Sequence, residues 1–89
     1  MKDREEYYKI IGRNIAFFRK RKHLTQVGLS MKANVSRTHI SHLEAKNVNK
    51  APSLDMLFHL CEILEIEPYQ LFIEQVEEKE KKKYSSRRI

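Results

Sequence analysis

At 89 residues the chain has room for one small domain and little besides. Two Gly and two Pro among many Leu, Ile, Lys and Glu favour helix, and a lone cysteine, Cys61, excludes an internal disulfide framework and suits a reducing compartment. No apolar run nears the ~20 residues that span a bilayer, and the start is polar with no leader pattern, so a cytoplasmic, membrane-free protein is expected.

Residues 1–9 are charged and form either an N-terminal extension or the start of a first helix, where Asp3, Glu5 and Glu6 would suit the positive end of the dipole. Ile11, Ile15 and Phe18 fall at i, i+4 and i+7, the inward face of an amphipathic helix that ends near Lys22. Phe17 lies off that stripe and is expected against the N-terminal segment or the last helix. A short second helix spans about Gln26 to Lys32, with Thr25 as its cap and Leu29 turned inward. Gly28 costs this helix ~1 kcal/mol and is read as tolerated on its outward side. Asn34, in the turn Ala33-Asn34-Val35, accepts a left-handed backbone.

Ser36 caps a third helix that runs to Glu44, with Ile40 and Leu43 as its inward stripe. Arg37, Thr38, Ser41 and His42 are left pointing away from the core, and His39 lies on the surface. Residues 45–51 have the composition of a loop. Pro52 then blocks helix, and Ser53 caps a fourth one with a wide apolar stripe of Leu54, Leu57, Phe58, Leu60, Cys61 and Leu64. On that stripe Cys61 reads as a small buried hydrophobe. Pro68 suits the first turn of a fifth helix, along which Leu71, Phe72 and Val76 would continue an apolar seam. Residues 77–89 are a charged tail that offers no core and is expected to be disordered. The expected fold is all-α: a compact five-helix domain over residues 10–76.

Charge is strongly segregated along the chain. Residues 1–50 carry twelve Lys or Arg against four acids, residues 51–78 carry seven acids and no Lys or Arg, and residues 79–89 carry six bases and one acid. Surplus lysine can serve solubility alone, but segregation of this size favours a polyanionic partner for the basic half. The two short helices from Thr25 to Glu44 look like a helix-turn-helix, whose capped second helix shows the major groove hydrogen-bonding side chains and almost no acid. His39 and His42, three apart, could share a metal, yet no third or fourth ligand is in view and no metal site is expected. No nucleophile, base and orienting acid converge, there is no phosphate loop, and no enzyme activity, cofactor or small-molecule ligand is expected.

The marks Ile11…Ile15…Arg19, Leu24-Thr25-Gln26…Leu29, Val35-Ser36-Arg37…Ile40-Ser41…Leu43-Glu44, Pro52-Ser53-Leu54…Leu57 and Leu64…Leu71-Phe72 together resemble the phage Cro and repressor-type (xenobiotic-response-element-like) helix-turn-helix family. The resemblance covers some two thirds of the chain. It implies a lambda-repressor-like domain with the helix-turn-helix at helices two and three, binding double-stranded DNA as a homodimer on an inverted repeat. It also implies roles. Gln26 would anchor a phosphate and brace the recognition helix; Ser36, Arg37, Thr38, Ser41 and His42 would contact DNA, with His39 beside them. Arg19 and Glu44 would form a structural ion pair. Lys46, Asn47 and Lys50 would reach the phosphate backbone from the loop after the third helix. Three departures stand out: Lys46 replaces the usual glycine in a loop about two residues longer than common, Ser30 replaces a small alanine, and Val27 sets an apolar side chain where a polar one is usual.

The function expected is sequence-specific transcriptional regulation, in the manner of a repressor. A dimer seam is expected at Tyr69, Phe72, Ile73 and Val76, against the alternative that these residues only close the monomer core. A protein-binding transcriptional adaptor is the second class, for which the acidic segment 51–78 could serve. An antitoxin or a restriction-modification controller regulating its own operon is a third.

Overall fold

Each α-helix opens on a side chain that takes over one of its unpartnered backbone donors. The computed structural model describes residues 1–45 and 52–75, and among them are α1 (Arg4–Arg21), α2 (Gln26–Ala33), α3 (Arg37–Glu44), α4 (Leu54–Leu64) and a short 3₁₀ turn (Pro68–Leu71), with no strand. Asp3, Thr25, Ser36 and Ser53 accept the amides of Glu6, Gly28, His39 and Met56 at 2.9, 2.9, 3.0 and 3.1 Å. Such caps contribute about 1 kcal/mol each, and they fix where α2 and α3 begin. Gly28 lies beside its cap, since a methyl group there would stand 3.3 Å from the Thr25 hydroxyl.

Three helix ends share one device. The amides of Leu24, Val35 and Ile66 reach back to the carbonyls of Arg19, Ser30 and Cys61, across a preceding residue in left-handed backbone: His23 (φ 59°), Asn34 (φ 57°) and Glu65 (φ 58°). In each case the apolar residue just past the turn packs against the core, the contact that commonly accompanies this motif. Asn34 takes this conformation most readily and histidine is also enriched there, whereas glutamate is not. His23 is exposed, so His23→Gly should raise stability by about 0.5–1 kcal/mol, relief of the left-handed strain outweighing the entropy that glycine loses; a thermal melt checks it. Glu65 instead meets Lys22 across the α1–α4 junction. That hydrogen bond, and then the ammonium charge, hold its carboxyl below the ordinary range. The folded value lies below the unfolded one, so the stability it adds is present near neutrality and lost as pH falls through the carboxylate range.

Every element sends one side chain to the centre. Ile15, Leu29, Ile40, Leu60 and Leu71 come from α1, α2, α3, α4 and the 3₁₀ turn in that order, and all are fully buried. Burial pushes the Cys61 thiol up, in keeping with a packing role. Phe17 packs on the core edge, edge-on to Phe18 at 5.1 Å between ring centres, with the Arg21 guanidinium over its ring.

Two expectations need correction. Leu54 and Phe58 do not belong to the buried stripe of α4 and are 67 and 50% exposed. Leu57, Leu60, Cys61 and Leu64 fill an arc of about 100° on that helix, and Phe58 falls outside it. The expected fifth helix is only the 3₁₀ turn, and Phe72 is 43% exposed while Leu71 alone is buried. An α-helix would need the carbonyls of Gln70 and Leu71 to accept from amides four residues on. Here side chains reach both carbonyls instead: Asn14 Nδ2 donates to Leu71 at 2.7 Å and approaches Gln70 at 3.3 Å, and Gln75 Nε2 donates to Gln70 at 3.1 Å. Expectations placed on Lys46, Asn47, Lys50, Val76 and the tail 77–89 lie outside the described residues.

The crossing of α1 and α3 sets the site. A methyl group on Gly12 would stand 2.7 Å from the Leu43 carbonyl oxygen, a contact with backbone that no side-chain rotation relieves. Gly12→Ala is expected to cost about 1–3 kcal/mol by forcing the helices apart, read as a lowered urea midpoint. A gain in stability would contradict this crossing.

Candidate nucleic-acid interface

The surface of interest is the outward side of α3 and the start of α2. Ser36, at the cap, satisfies His39 N–H and so fixes the direction of α3. Ile40 and Leu43 pull one side inward, at 0 and 9% exposure. With a 3.6-residue period, this turns Arg37, Thr38, His39 and His42 to solvent, while Ser41 is half-buried. Eight residues make the helix about 12 Å long.

Between residues 20 and 45 Glu44 is the only acid, and its carboxylate is folded away from this surface. Its side chain is 7% exposed and that of Arg19 10%. Arg19 Nε donates to Glu44 Oε2 at 2.7 Å and Nη2 to Oε1 at 3.0 Å, a bidentate pair. The remaining Nη1 donates to the Leu24 carbonyl at 2.8 Å. Gln26, the first residue of α2, donates from Nε2 to Glu44 Oε1 at 3.0 Å. One guanidinium therefore ties together the end of α1, the chain entering α2 and the last turn of α3. Gln26 is half-buried, and its amide oxygen and second amide hydrogen have no hydrogen-bond partner among the described residues. Acid-poor exposure of this kind suits phosphate and base edges.

The neighbouring positions are also placed. Ser30 is buried and donates to the Val27 carbonyl at 2.7 Å, absorbing its hydroxyl within α2. Val27 is 48% exposed and Met31, one turn on, 76%. His59 borders the core with its Nε2 3.1 Å from the Ala33 carbonyl oxygen. Tyr69, Phe72 and Ile73 are 63, 43 and 55% exposed and lie on the 3₁₀ turn and just past it. Among the described residues no group of three or more His, Cys, Asp or Glu could hold a metal ion, and no helix is long and apolar enough to cross a membrane.

Two structural residues escape a reading of the charged and apolar pattern: Gly12 and the buried Asn14. Gly12 and Ala16, small residues four apart on α1, are the available signal for a close helix approach. A lone amide such as Asn14 inside an apolar stripe is the signal for a buried tether.

A helix-turn-helix family model matches residues 15–71. The chain belongs to that family, of the Cro and repressor type, whose members are DNA-binding transcription regulators rather than enzymes. Among solved structures it is similar to the restriction-modification controller protein C.AhdI from Aeromonas hydrophila (26% identity over 73% of this chain and 96% of that one, TM-score 0.66). It is similar to SinR, described as the master regulator for biofilm formation and solved in complex with DNA (28% identity, 71 and 98% coverage, TM-score 0.64). It also resembles a hypothetical transcription factor, NHTF, from Neisseria (25% identity, 94 and 91% coverage, TM-score 0.69). No curated protein matches the chain in sequence.

Proposed function

We propose that this chain is a sequence-specific reader of duplex DNA that represses transcription as a homodimer on an inverted repeat. The observation that carries the reading is the exposed edge of α3, where Arg37, Thr38 and His42 face solvent while Glu44 is folded back onto Arg19. Arg37 and Thr38 in the first turn, with His42 one turn on, read base edges. Ser36, Gln26 and the exposed end of α2 hold phosphates, assisted by His39 and Ser41; Lys46, Asn47 and Lys50, which follow α3 in sequence, add to the same role. SinR, similar in fold and sequence, has been solved with DNA, which supports this use of the helix-turn-helix.

A single helix covers little DNA, whereas two related by a two-fold axis reach half-sites about 34 Å apart. Tyr69, Phe72 and Ile73, exposed and apolar, form the face between two copies. The likeness to C.AhdI favours a second, narrower reading in which the regulated genes are those of a restriction-modification system; the genes adjoining the coding sequence decide it.

Duplex titration tests the reading directly. A regulator should prefer its own site over scrambled duplex by about 10³-fold or more at physiological salt. An adaptor that docks on proteins would bind every duplex weakly and alike. Sedimentation at micromolar concentration should give particles heavier than the 10.7 kDa monomer.

A further inference from the structure

Asn14 lies in the middle of α1 and is 2% exposed, where an amide is costly unless its hydrogens are used. Its Nδ2 donates to the carbonyls of Leu71 at 2.7 Å and Ile73 at 2.9 Å, with Gln70 at 3.3 Å. An amide has two hydrogens, so Leu71 and Ile73 take one each and Gln70 a share at longest range. The segment held in this way carries Tyr69, Phe72 and Ile73. Its own backbone supplies few constraints: Gln70 N–H bonds Glu67 and Phe72 N–H bonds Tyr69, both at 3.0 Å. Gln75 Nε2 adds bonds to the Gln70 and Ile73 carbonyls at 3.1 and 2.8 Å, and Arg13 pairs with Glu74 at 2.7 Å on the exposed surface. The buried anchors that set the direction of the three exposed side chains are Leu71 in the core and Asn14. The same helix grips α3 on another side, at Gly12 against Leu43 and at Arg19 against Glu44. α1 is the strut common to both surfaces.

We infer that Asn14 is a positioning residue for the two-fold assembly. It fixes the angle between the recognition helix and the face that meets a second copy, and so selects the half-site separation that the dimer accepts. This rests on reading Tyr69, Phe72 and Ile73 as that face.

The test uses the full chain, a single half-site duplex, and two-site duplexes whose separation is varied one base pair at a time, all built on the sequence that the wild type selects. The wild type should favour one separation by about tenfold or more over its neighbours. Asn14→Ala should hold single half-site affinity within about twofold while that preference flattens to about threefold or less. Asn14→Ser, which keeps one hydrogen, should fall between the two and serves where circular dichroism finds the alanine variant unfolded. A folded variant with the wild-type separation profile overturns the inference. So does equal loss on single and paired sites, which would leave Asn14 a purely structural support. A wild type that binds two sites independently, at every separation, overturns the self-association reading itself and is seen before any variant is made.

Discussion

Glu44→Ala should destabilise the fold by about 3–5 kcal/mol, the loss expected when one partner of a buried ion pair is removed. Against the about 5–15 kcal/mol that holds a domain of this kind together, a substantial share of the chain would be unfolded at moderate temperature. The reason is specific. Arg19 would keep its hydrogen bond to Leu24 but lose both bonds to the carboxylate, in a place where its side chain is 10% exposed. Gln26 would lose its anchor on α3 as well. Urea unfolding reads the loss as a lowered midpoint. The double variant Arg19→Met, Glu44→Leu, with no charge left to bury, should recover most of the stability. Its affinity for DNA should stay impaired, because Gln26 is no longer held. A double variant with wild-type affinity would assign the network to stability alone.

Arg37→Ala should do the converse. The side chain is exposed at the start of α3, so stability should change by about 0.5 kcal/mol or less. A guanidinium paired with guanine O6 and N7 is worth about 1–3 kcal/mol of discrimination. On an inverted repeat the interaction is counted once per half-site, so the symmetric site should lose about 2–6 kcal/mol of preference for that base. A binding survey over single-base variants should show relaxation at one position of each half-site and little elsewhere. Uniform weakening on every sequence, with a salt slope smaller by about one per half-site, would place Arg37 on phosphate instead.

Much of the helix-turn-helix was legible because its signals are local. Thr25 and Ser36 cap within three residues, Asn34 takes the left-handed turn, and the spacing of Leu29, Ile40 and Leu43 sets which side is inward. The segment beyond α4 depends on contacts far away in sequence. Pro68 does open a helical turn, but the chain after it is tied to Asn14, 56 or more residues earlier, through the Gln70 and Leu71 carbonyls. No periodicity within residues 68–75 carries that information. The same holds for Gly12, whose value lies in the backbone of Leu43 across the helix crossing. Leu54 and Phe58 fit an apolar stripe by spacing, yet the core meets only the arc through Leu57, Leu60, Cys61 and Leu64. Tyr69, Phe72 and Ile73 are exposed apolar side chains that a sequence pattern does not separate from core.

Selection of bound duplexes from a random pool tests DNA reading by α3 most directly, because base preference, symmetry and spacing are all determined at once. The expected result is enrichment of an inverted repeat whose half-sites lie about one helical turn apart, with a guanine in each half-site that Arg37→Ala no longer selects. A bound pool whose sequences match the starting pool would contradict it, and the exposed edge of α3 would then have some purpose other than reading DNA.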